Sequence, residues 1–224
     1  SGHVLFALQR KAFVAPFDLE TLAFTGPSVP VLPRLWVDQD EMQLAVSRTG
    51  TVAYLPAAPG GRLHELVAVT LDGKVEPLLG ESLPFARIND PRFSRDGRRL
   101  VLAADNSEIW MVDLDTRTPT LMSGSGFYAY WNPTDREIVY SSARGDSFDL
   151  YRRPVDLSRP EQLLLDLDNN LRAADWTRQG VLVVREEIDG KGMDLRTLSD
   201  VDDPSTLRPL LEGADDELAP NVSA

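Results

Sequence analysis

The hydrophobic pattern consists of short apolar runs that follow tight polar turns at regular intervals. In the clearest copy Phe93 precedes the turn Ser94-Arg95-Asp96-Gly97, and the apolar run Leu100-Val101-Leu102 comes next. Apolar runs rich in β-branched residues and bounded by Gly and Asp predict antiparallel strands joined by tight turns. The pattern recurs, and its leading apolar residues are Val46, Phe93, Trp131, Trp176 and Val222.

Each repeat carries further strands after the first pair. A segment of aromatic and β-branched residues follows, as in Glu108-Ile109-Trp110-Met111-Val112-Asp113, and a short apolar strand such as 119–122 ends the unit. Four strands in about 38–47 residues match the repeat length of a β-propeller blade. We therefore predict an all-β fold, a β-propeller of four-stranded antiparallel blades. The aromatic residues of the repeats are predicted to form the core between blades: Phe93, Trp110, Trp131 and Trp176.

The chain is predicted to form a single β-propeller domain, 1–224, with about five blades. The approximate blades are 1–40, 41–85, 86–125, 126–168 and 169–213. The first unit has three strands only, whereas residues 217–224 match an isolated first strand. Two arrangements remain open. Residues 217–224 complete the first blade and close a five-bladed ring, or the chain is a fragment of a propeller with six or more blades.

The repeat Phe93-Ser94-Arg95-Asp96-Gly97 resembles the WD40-like repeat of TolB-type propellers, in which an aromatic residue precedes Ser-Pro-Asp-Gly. Arg95 stands where that repeat has proline. The segments 2–6, 13–18 and 25–32 are similar to the propellers that follow bacterial serine/threonine protein kinases. The resemblance implies a sensor or binding module of a larger bacterial signalling protein, in an extracytoplasmic location. The alternatives are the gating propeller of a prolyl-oligopeptidase-type hydrolase and a purely structural scaffold.

Composition excludes several kinds of chemistry. The chain has 35 acidic and 23 basic residues, a net charge of −12, which disfavours binding to nucleic acid. It has no cysteine, so thiol chemistry is excluded. It has only two histidines, His3 and His64, so few side chains are suited to histidine-based acid–base catalysis. No apolar run approaches the roughly 18–20 residues of a membrane span, so direct membrane insertion is not expected. Gly124-Ser125-Gly126 is predicted to be a turn between repeats. We expect neither enzymatic activity nor a cofactor.

The predicted binding site lies at one mouth of the central channel. Loops between a fourth strand and the next first strand gather there, together with loops between second and third strands, and loops on a rigid scaffold commonly carry binding residues. In this hypothesis aromatic side chains anchor a protein or peptide partner, and acidic side chains favour a basic one. The predicted contact residues are Asp90, Phe127, Tyr128, Asn169, Arg172 and Asp216.

A divalent cation is a second candidate ligand, because hard cations prefer several oxygen ligands from one loop. Asp166 and Asp168, in Asp166-Leu167-Asp168-Asn169-Asn170, are the candidate ligands. The segment lacks the glycine and the terminal glutamate of a calcium-binding loop. Tight-turn chemistry is the favoured interpretation of these residues, so no metal site is assigned.

Overall fold

The computed structural model describes residues 2–8, 11–32, 35, 37–38, 41–47, 50–56, 66–69, 74–78, 85, 87–105, 107–188 and 192–212. Within these ranges the regular elements are β-strands, apart from one 3-10 helix, Pro204–Thr206. Apart from one two-stranded hairpin, the described strands form five four-stranded antiparallel sheets, which follow one another along the chain. The predicted all-β, five-bladed β-propeller is confirmed.

Blades 2 to 5 share one topology, in which four consecutive strands pair in the order of the chain. Blade 2 contains β7 (Leu44–Val46), β8 (Val52–Tyr54), β9 (Val67–Val69) and β10 (Val75–Pro77). Blade 3 contains β11 (Ile88–Phe93), β12 (Arg99–Ala104), β13 (Glu108–Asp113) and β14 (Thr118–Ser123). Blade 4 contains β15 (Phe127–Trp131), β16 (Glu137–Ala143), β17 (Phe148–Pro154) and β18 (Gln162–Leu165). Blade 5 contains β19 (Asn170–Trp176), β20 (Leu182–Ile188), β21 (Gly192–Leu198) and β22 (Leu207–Leu211).

The first strands of neighbouring blades lie against one another. Strand β11 contacts both β7 and β15, and β15 also contacts β19. This arrangement places the first strands around the central channel, as in other propellers, and leaves the fourth strands at the periphery. The channel is therefore lined by the residues that begin each repeat.

Blade 1 differs from the other four. It contains β1 (Gly2–Leu8), β2 (Lys11–Asp18), β3 (Ala23–Phe24) and β4 (Val29–Leu32), and both β3 and β4 pair with β2. Strand β1 therefore forms one edge of this sheet. A short hairpin of β5 (Val37–Asp38) and β6 (Glu41–Met42) links blade 1 to blade 2. Residues 217–224 lie outside the described residues, so completion of blade 1 by this segment remains a prediction.

Hydrophobic clusters fill the spaces between adjacent blades. Trp131 packs with residues of β12 and β16 between blades 3 and 4, and Trp176 packs with residues of β16 and β20 between blades 4 and 5. Both tryptophans are buried, whereas Phe93 and Trp110 are half-buried at the edge of a third cluster. The predicted role of these four aromatic residues in the core is confirmed.

The turns between first and second strands also connect the blades. In three of them a glycine takes a left-handed conformation, with φ of 87° at Gly50, 70° at Gly97 and 93° at Gly180. In blade 4 the corresponding residue is Asp135, with φ of 56°. Its carboxylate accepts main-chain hydrogen bonds from Arg95 (3.0 Å) and Asp96 (3.1 Å) in the turn of blade 3. An aspartate in place of glycine thus joins two blades.

Candidate binding site at the channel mouth

The strand order places two sets of loops at each end of the propeller. The described loops 124–126, 144–147 and 166–169 lie at the end that we call the upper mouth. The turns 94–98, 132–136 and 177–181 lie at the opposite end, the lower mouth, with loops such as 155–161. The described residues among the predicted contacts lie toward the upper mouth, because each precedes a first strand or is one of its first three residues.

A tyrosine beneath two arginines is the main feature of the described part of the upper mouth. Tyr128 lies at a β-bulge in β15 and has a left-handed main chain, with φ of 53°. The guanidinium carbon of Arg185 is 5.0 Å from the Tyr128 ring centroid, and that of Arg172 is 5.7 Å from it. Both distances fall in the range of cation–π attraction. Two arginines of blade 5 therefore pack against the Tyr128 ring of blade 4.

Two further aromatic rings extend this cluster. The Phe127 ring centroid is 6.4 Å from that of Tyr128 and 6.1 Å from that of Phe148. All three rings are partly exposed, so some of their apolar surface faces solvent. We refer to Phe127, Tyr128, Phe148, Arg172 and Arg185 as the aromatic–arginine cluster.

Carboxylates of blade 5 hold the polar side chains around this cluster. Glu187 pairs with Arg172 over 3.4 Å. Glu186 accepts a hydrogen bond of 2.8 Å from the Asn169 side chain and another from Arg196. Arg185 and Glu186 are only 2% and 4% exposed, which is unusual for charged residues. These contacts hold the side chains of Arg172 and Asn169 in place.

The structure brings four of the six predicted contact residues together. Phe127, Tyr128 and Arg172 belong to the aromatic–arginine cluster, and Asn169 lies in the adjoining network. Asp90 occupies in β11 the repeat position that Tyr128 has in β15, and it also has a left-handed φ, of 51°. Asp90 is 6% exposed, and its main-chain N–H donates to Gln43 Oε1 over 2.6 Å at the boundary of blades 2 and 3. Asp216 lies outside the described residues.

Sequence reasoning missed Phe148, Arg185, Glu186 and Glu187. A signal for three of them is visible in the segment Leu182-Val183-Val184-Arg185-Glu186-Glu187-Ile188, where charged residues interrupt an apolar second strand. The corresponding run of blade 3, Leu100-Val101-Leu102-Ala103-Ala104, contains no charged residue. Charged residues in a strand covered on both faces require partners, and that requirement could have pointed to this site.

The two cation candidates lie on the loop between β18 and β19. Asp166 and Asp168 are both exposed, and Asp166 lies close to the buried Asp149 of β17. Burial and the neighbouring Asp166 carboxylate raise the pKa of Asp149. Among the described residues no group of three or more His, Asp or Glu side chains is placed to hold a metal ion. The divalent-cation hypothesis therefore has no support in the described structure.

A group of hydrogen-bonded side chains around Glu161 of blade 4 also contacts blade 3. The buried Tyr140 donates its hydroxyl to Glu161, whose other carboxylate oxygen lies 2.6 Å from Arg144 Nη1. Arg144 also donates to Ser123 of blade 3 over 3.2 Å. The hydrogen bond from Arg144, with that from Tyr140, lowers the pKa of Glu161 to about 2 despite partial burial, and burial raises the pKa of Tyr140. The segment Gly124-Ser125-Gly126 next to this group connects β14 to β15, so the predicted turn is confirmed.

Solved structures with the same fold identify its type. TolB from Acinetobacter baumannii superposes with a TM-score of 0.73 at 18% identity, over 95% of this chain and 53% of that chain. The fold of this chain is therefore TolB-like. A putative TolB from Agrobacterium tumefaciens gives a TM-score of 0.70 at 14% identity, over 95% of this chain and 78% of that chain. The chain thus spans about half the length of the first of these structures.

Other propellers are also similar. A structure of a Nidogen/Laminin complex gives a TM-score of 0.68 at 10% identity, over 94% of this chain and 79% of that chain. The tricorn protease gives a lower TM-score of 0.57 at 16% identity, over 87% of this chain and 19% of that chain. No protein-family model and no curated protein matches the sequence. At these identities the similarity establishes the fold only, and the function has to be inferred from the candidate site.

The described residues include no helix that is long and apolar enough to cross a membrane.

Proposed function

We propose that the protein is a non-catalytic binding module that holds a protein or peptide segment at the upper mouth. The aromatic–arginine cluster carries this proposal. Aromatic residues and arginine are enriched where protein interfaces gain most of their affinity, particularly in rigid, partly desolvated positions. Tyr128 satisfies both conditions, because two guanidinium groups hold its ring while part of the ring remains accessible.

The charge around the cluster favours a basic partner. Arg172 and Arg196 are already paired with Glu187 and Glu186, so these side chains add little net charge. Asp166 and Asp168 are exposed on the adjacent loop, and the chain as a whole carries −12. Such a field accelerates the approach of a basic segment, whereas the aromatic rings supply most of the affinity once it has docked. Asp216, which the sequence predicts in the loop after blade 5, belongs to the same acidic set in this proposal.

The larger context follows from the resemblance of the N-terminal segments to kinase-associated propellers. We propose that the module serves a bacterial signalling protein outside the cytoplasm, attached to a kinase domain. A gating propeller of a hydrolase is the second candidate, because a propeller of a peptidase, the tricorn protease, has a similar fold. A purely structural scaffold is the third and would bind nothing at the upper mouth.

An array of immobilised peptides, each basic sequence matched by an acidic counterpart, tests the proposal. The variant Tyr128→Asn removes the ring but suits the left-handed main chain, since asparagine tolerates positive φ. We expect wild-type protein to bind a subset of the basic peptides and Tyr128→Asn to weaken that binding about tenfold or more. Leu157→Asn is the matched control, because Leu157 has φ of 57° and is 40% exposed at the lower mouth of the same blade.

Two results would overturn the proposal. Equal loss of binding in Leu157→Asn and Tyr128→Asn would show that the cluster has no special role. Absence of saturable binding to any peptide would favour the scaffold. Thermal unfolding of each variant, measured in parallel, separates lost binding from lost structure.

A further inference from the structure

A groove at the lower mouth lies far from the aromatic–arginine cluster. Its volume is about 680 Å³, and it is formed by the first turn of blade 4, the loop between β17 and β18, and the start of β12 in blade 3. Side chains that line it include Arg99, Arg136, Arg159, Asp156, Pro154 and Val155. The groove therefore combines three guanidinium groups from three separate segments with a small apolar surface.

The acidic side chains around the groove already have partners. Asp135 accepts main-chain hydrogen bonds from Arg95 and Asp96 with its two carboxylate oxygens. Glu137 pairs with Arg159 over 3.2 Å and is 19% exposed. Asp156 accepts a hydrogen bond of 3.0 Å from the main chain of Ser158. All three carboxylates are thus engaged within the protein, two by main-chain donors and Glu137 by Arg159.

Within the described structure, Arg99 and Arg136 lack the close carboxylate partner that Arg159 has in Glu137. Arg99 donates to the main-chain carbonyl of Asp135 over 2.9 Å and lies 5.0 Å above the Trp131 ring, and its nearest carboxylate, Asp96, is 4.0 Å away. In the described part of the chain the exposed guanidinium of Arg136 forms no hydrogen bond and no ion pair. A guanidinium with free donors in a groove is suited to bind a carboxylate through two parallel hydrogen bonds.

The main chain beneath Arg136 is held firmly. The Asn132 side-chain oxygen accepts hydrogen bonds from the N–H of Arg136 (2.9 Å) and of Glu137 (3.2 Å). The Arg136 carbonyl accepts from the N–H of Val155 over 2.9 Å, which joins the turn to the loop on the other side of the groove. A fixed main chain lowers the entropic cost of placing a ligand against the arginine.

We infer that this groove is a second binding site, which takes an acidic peptide segment of a partner protein. The carboxylate of the segment binds Arg136, with Arg99 and Arg159 at its flanks, and the peptide chain lies along Pro154 and Val155. The site is independent of the upper mouth and opposite to it in charge preference. One module could then hold a basic segment at one mouth and an acidic segment at the other.

Titration of the full chain with a capped peptide of alternating Glu and Gly, followed by amide NMR shifts, tests this inference. We expect saturable shifts in 132–137 and 154–159, none with the Gln counterpart of the peptide, and about tenfold weaker binding in Arg136→Gln. Arg178→Gln is the matched control: Arg178 is an exposed arginine of the corresponding turn in blade 5, and its loss changes the net charge equally. Binding in this control should equal wild type.

Three outcomes would overturn the inference. Equal weakening in Arg136→Gln and Arg178→Gln would assign the effect to net charge. Shifts spread over all turns of the lower mouth would show non-specific association. Inorganic phosphate binding as tightly as the peptide, with the same dependence on Arg136, would show a simple anion site without a peptide partner.

Discussion

Arg95 of blade 3 donates a hydrogen bond of 3.2 Å from Nη2 to the main-chain carbonyl oxygen of Trp176 in blade 5. Its own N–H binds Asp135 of blade 4, so one residue contacts three consecutive blades. Both contacts lie at the lower end of the channel, where the first strands end. The position is the one at which the repeat of TolB-type propellers has proline, and proline could form neither bond.

Substitutions of Arg95 separate these two contacts. Arg95→Ala removes the side-chain bond to blade 5 and retains the N–H, so we expect a loss of about 0.5–1.5 kcal/mol in the free energy of unfolding. Arg95→Pro also removes the donor to Asp135 and should cost more than Arg95→Ala. Urea denaturation measures both. A proline variant as stable as wild type would show that the inter-blade bonds add nothing.

Asp135 has a left-handed main chain, which is unfavourable for a residue other than glycine, and its carboxylate binds two N–H groups of blade 3. Asp135→Gly relieves the left-handed main chain but leaves the N–H groups of Arg95 and Asp96 without their acceptor, so we expect a net loss of about 1–2 kcal/mol. Asp135→Asn tolerates the same φ and keeps one acceptor oxygen, so its loss should be smaller. Thermal or urea unfolding gives the order, and a glycine variant that matches wild type would contradict it.

Gly126 lies where no side chain fits. A Cβ atom there would come within 2.7 Å of Tyr140 Cδ2, 2.9 Å of Ile109 Cγ1 and 3.2 Å of the Ser141 carbonyl. We expect Gly126→Ala to destabilise the protein by about 1–3 kcal/mol, because the space between blades 3 and 4 must widen. Gly124→Ala is the control, since nothing lies within 4 Å of a Cβ at Gly124, and it should be neutral. Equal urea midpoints for the two variants would exclude this explanation.

Glu161 should make stability depend on pH in the acidic range. Its pKa is lowered from 4.5 to about 2 in the folded protein, so the unfolded chain takes up the proton first as the pH falls. The stabilisation by Glu161 is therefore fully present above about pH 4.5 and is lost as the pH falls towards 2. Glu161→Gln should remove this part of the pH dependence and destabilise the protein at pH 7.

The exposed Glu20 of blade 1 provides the comparison for Glu161. Glu20→Gln changes the net charge by the same amount away from any blade interface, and its stability profile from pH 7 to pH 2.5 should follow that of wild type. Urea unfolding at a series of pH values measures all three proteins. A profile of Glu161→Gln that parallels wild type would refute the assignment.

Local sequence was sufficient to predict the blades. Each turn carries Gly or Asp at the one position that needs a left-handed main chain, and each run after it has the strand-forming residues that pair next along the chain. The aromatic residues Trp131 and Trp176 were predictable as core for a related reason, since they occupy the leading apolar position of the repeat, which is Phe93 in blade 3. Local rules were weaker for blade 1, where β3 and β4 both pair with β2.

The candidate site was predictable in part. Phe127, Tyr128, Asn169 and Arg172 were predicted from loop position alone, because the strand order of a propeller decides which loops share a mouth. The burial of Asp90, by contrast, depends on a hydrogen bond to Gln43 in the preceding blade, 47 residues away. Arg172 and Arg185, which lie over the Tyr128 ring, likewise belong to the next blade, and the sequence does not show how close their side chains come to that ring.

The sequence by itself determined the repeat, the strands, the turns and the end of the propeller at which the loops between blades lie. These features depend on residues close together in the chain, whose preferences for strand or turn act locally. Only the tertiary structure decided which charges are paired, as in the network of Glu186 and Glu187, and which remain available, as at Arg136. Those outcomes depend on contacts between residues of different strands, where burial removes water and makes each unpartnered polar group costly.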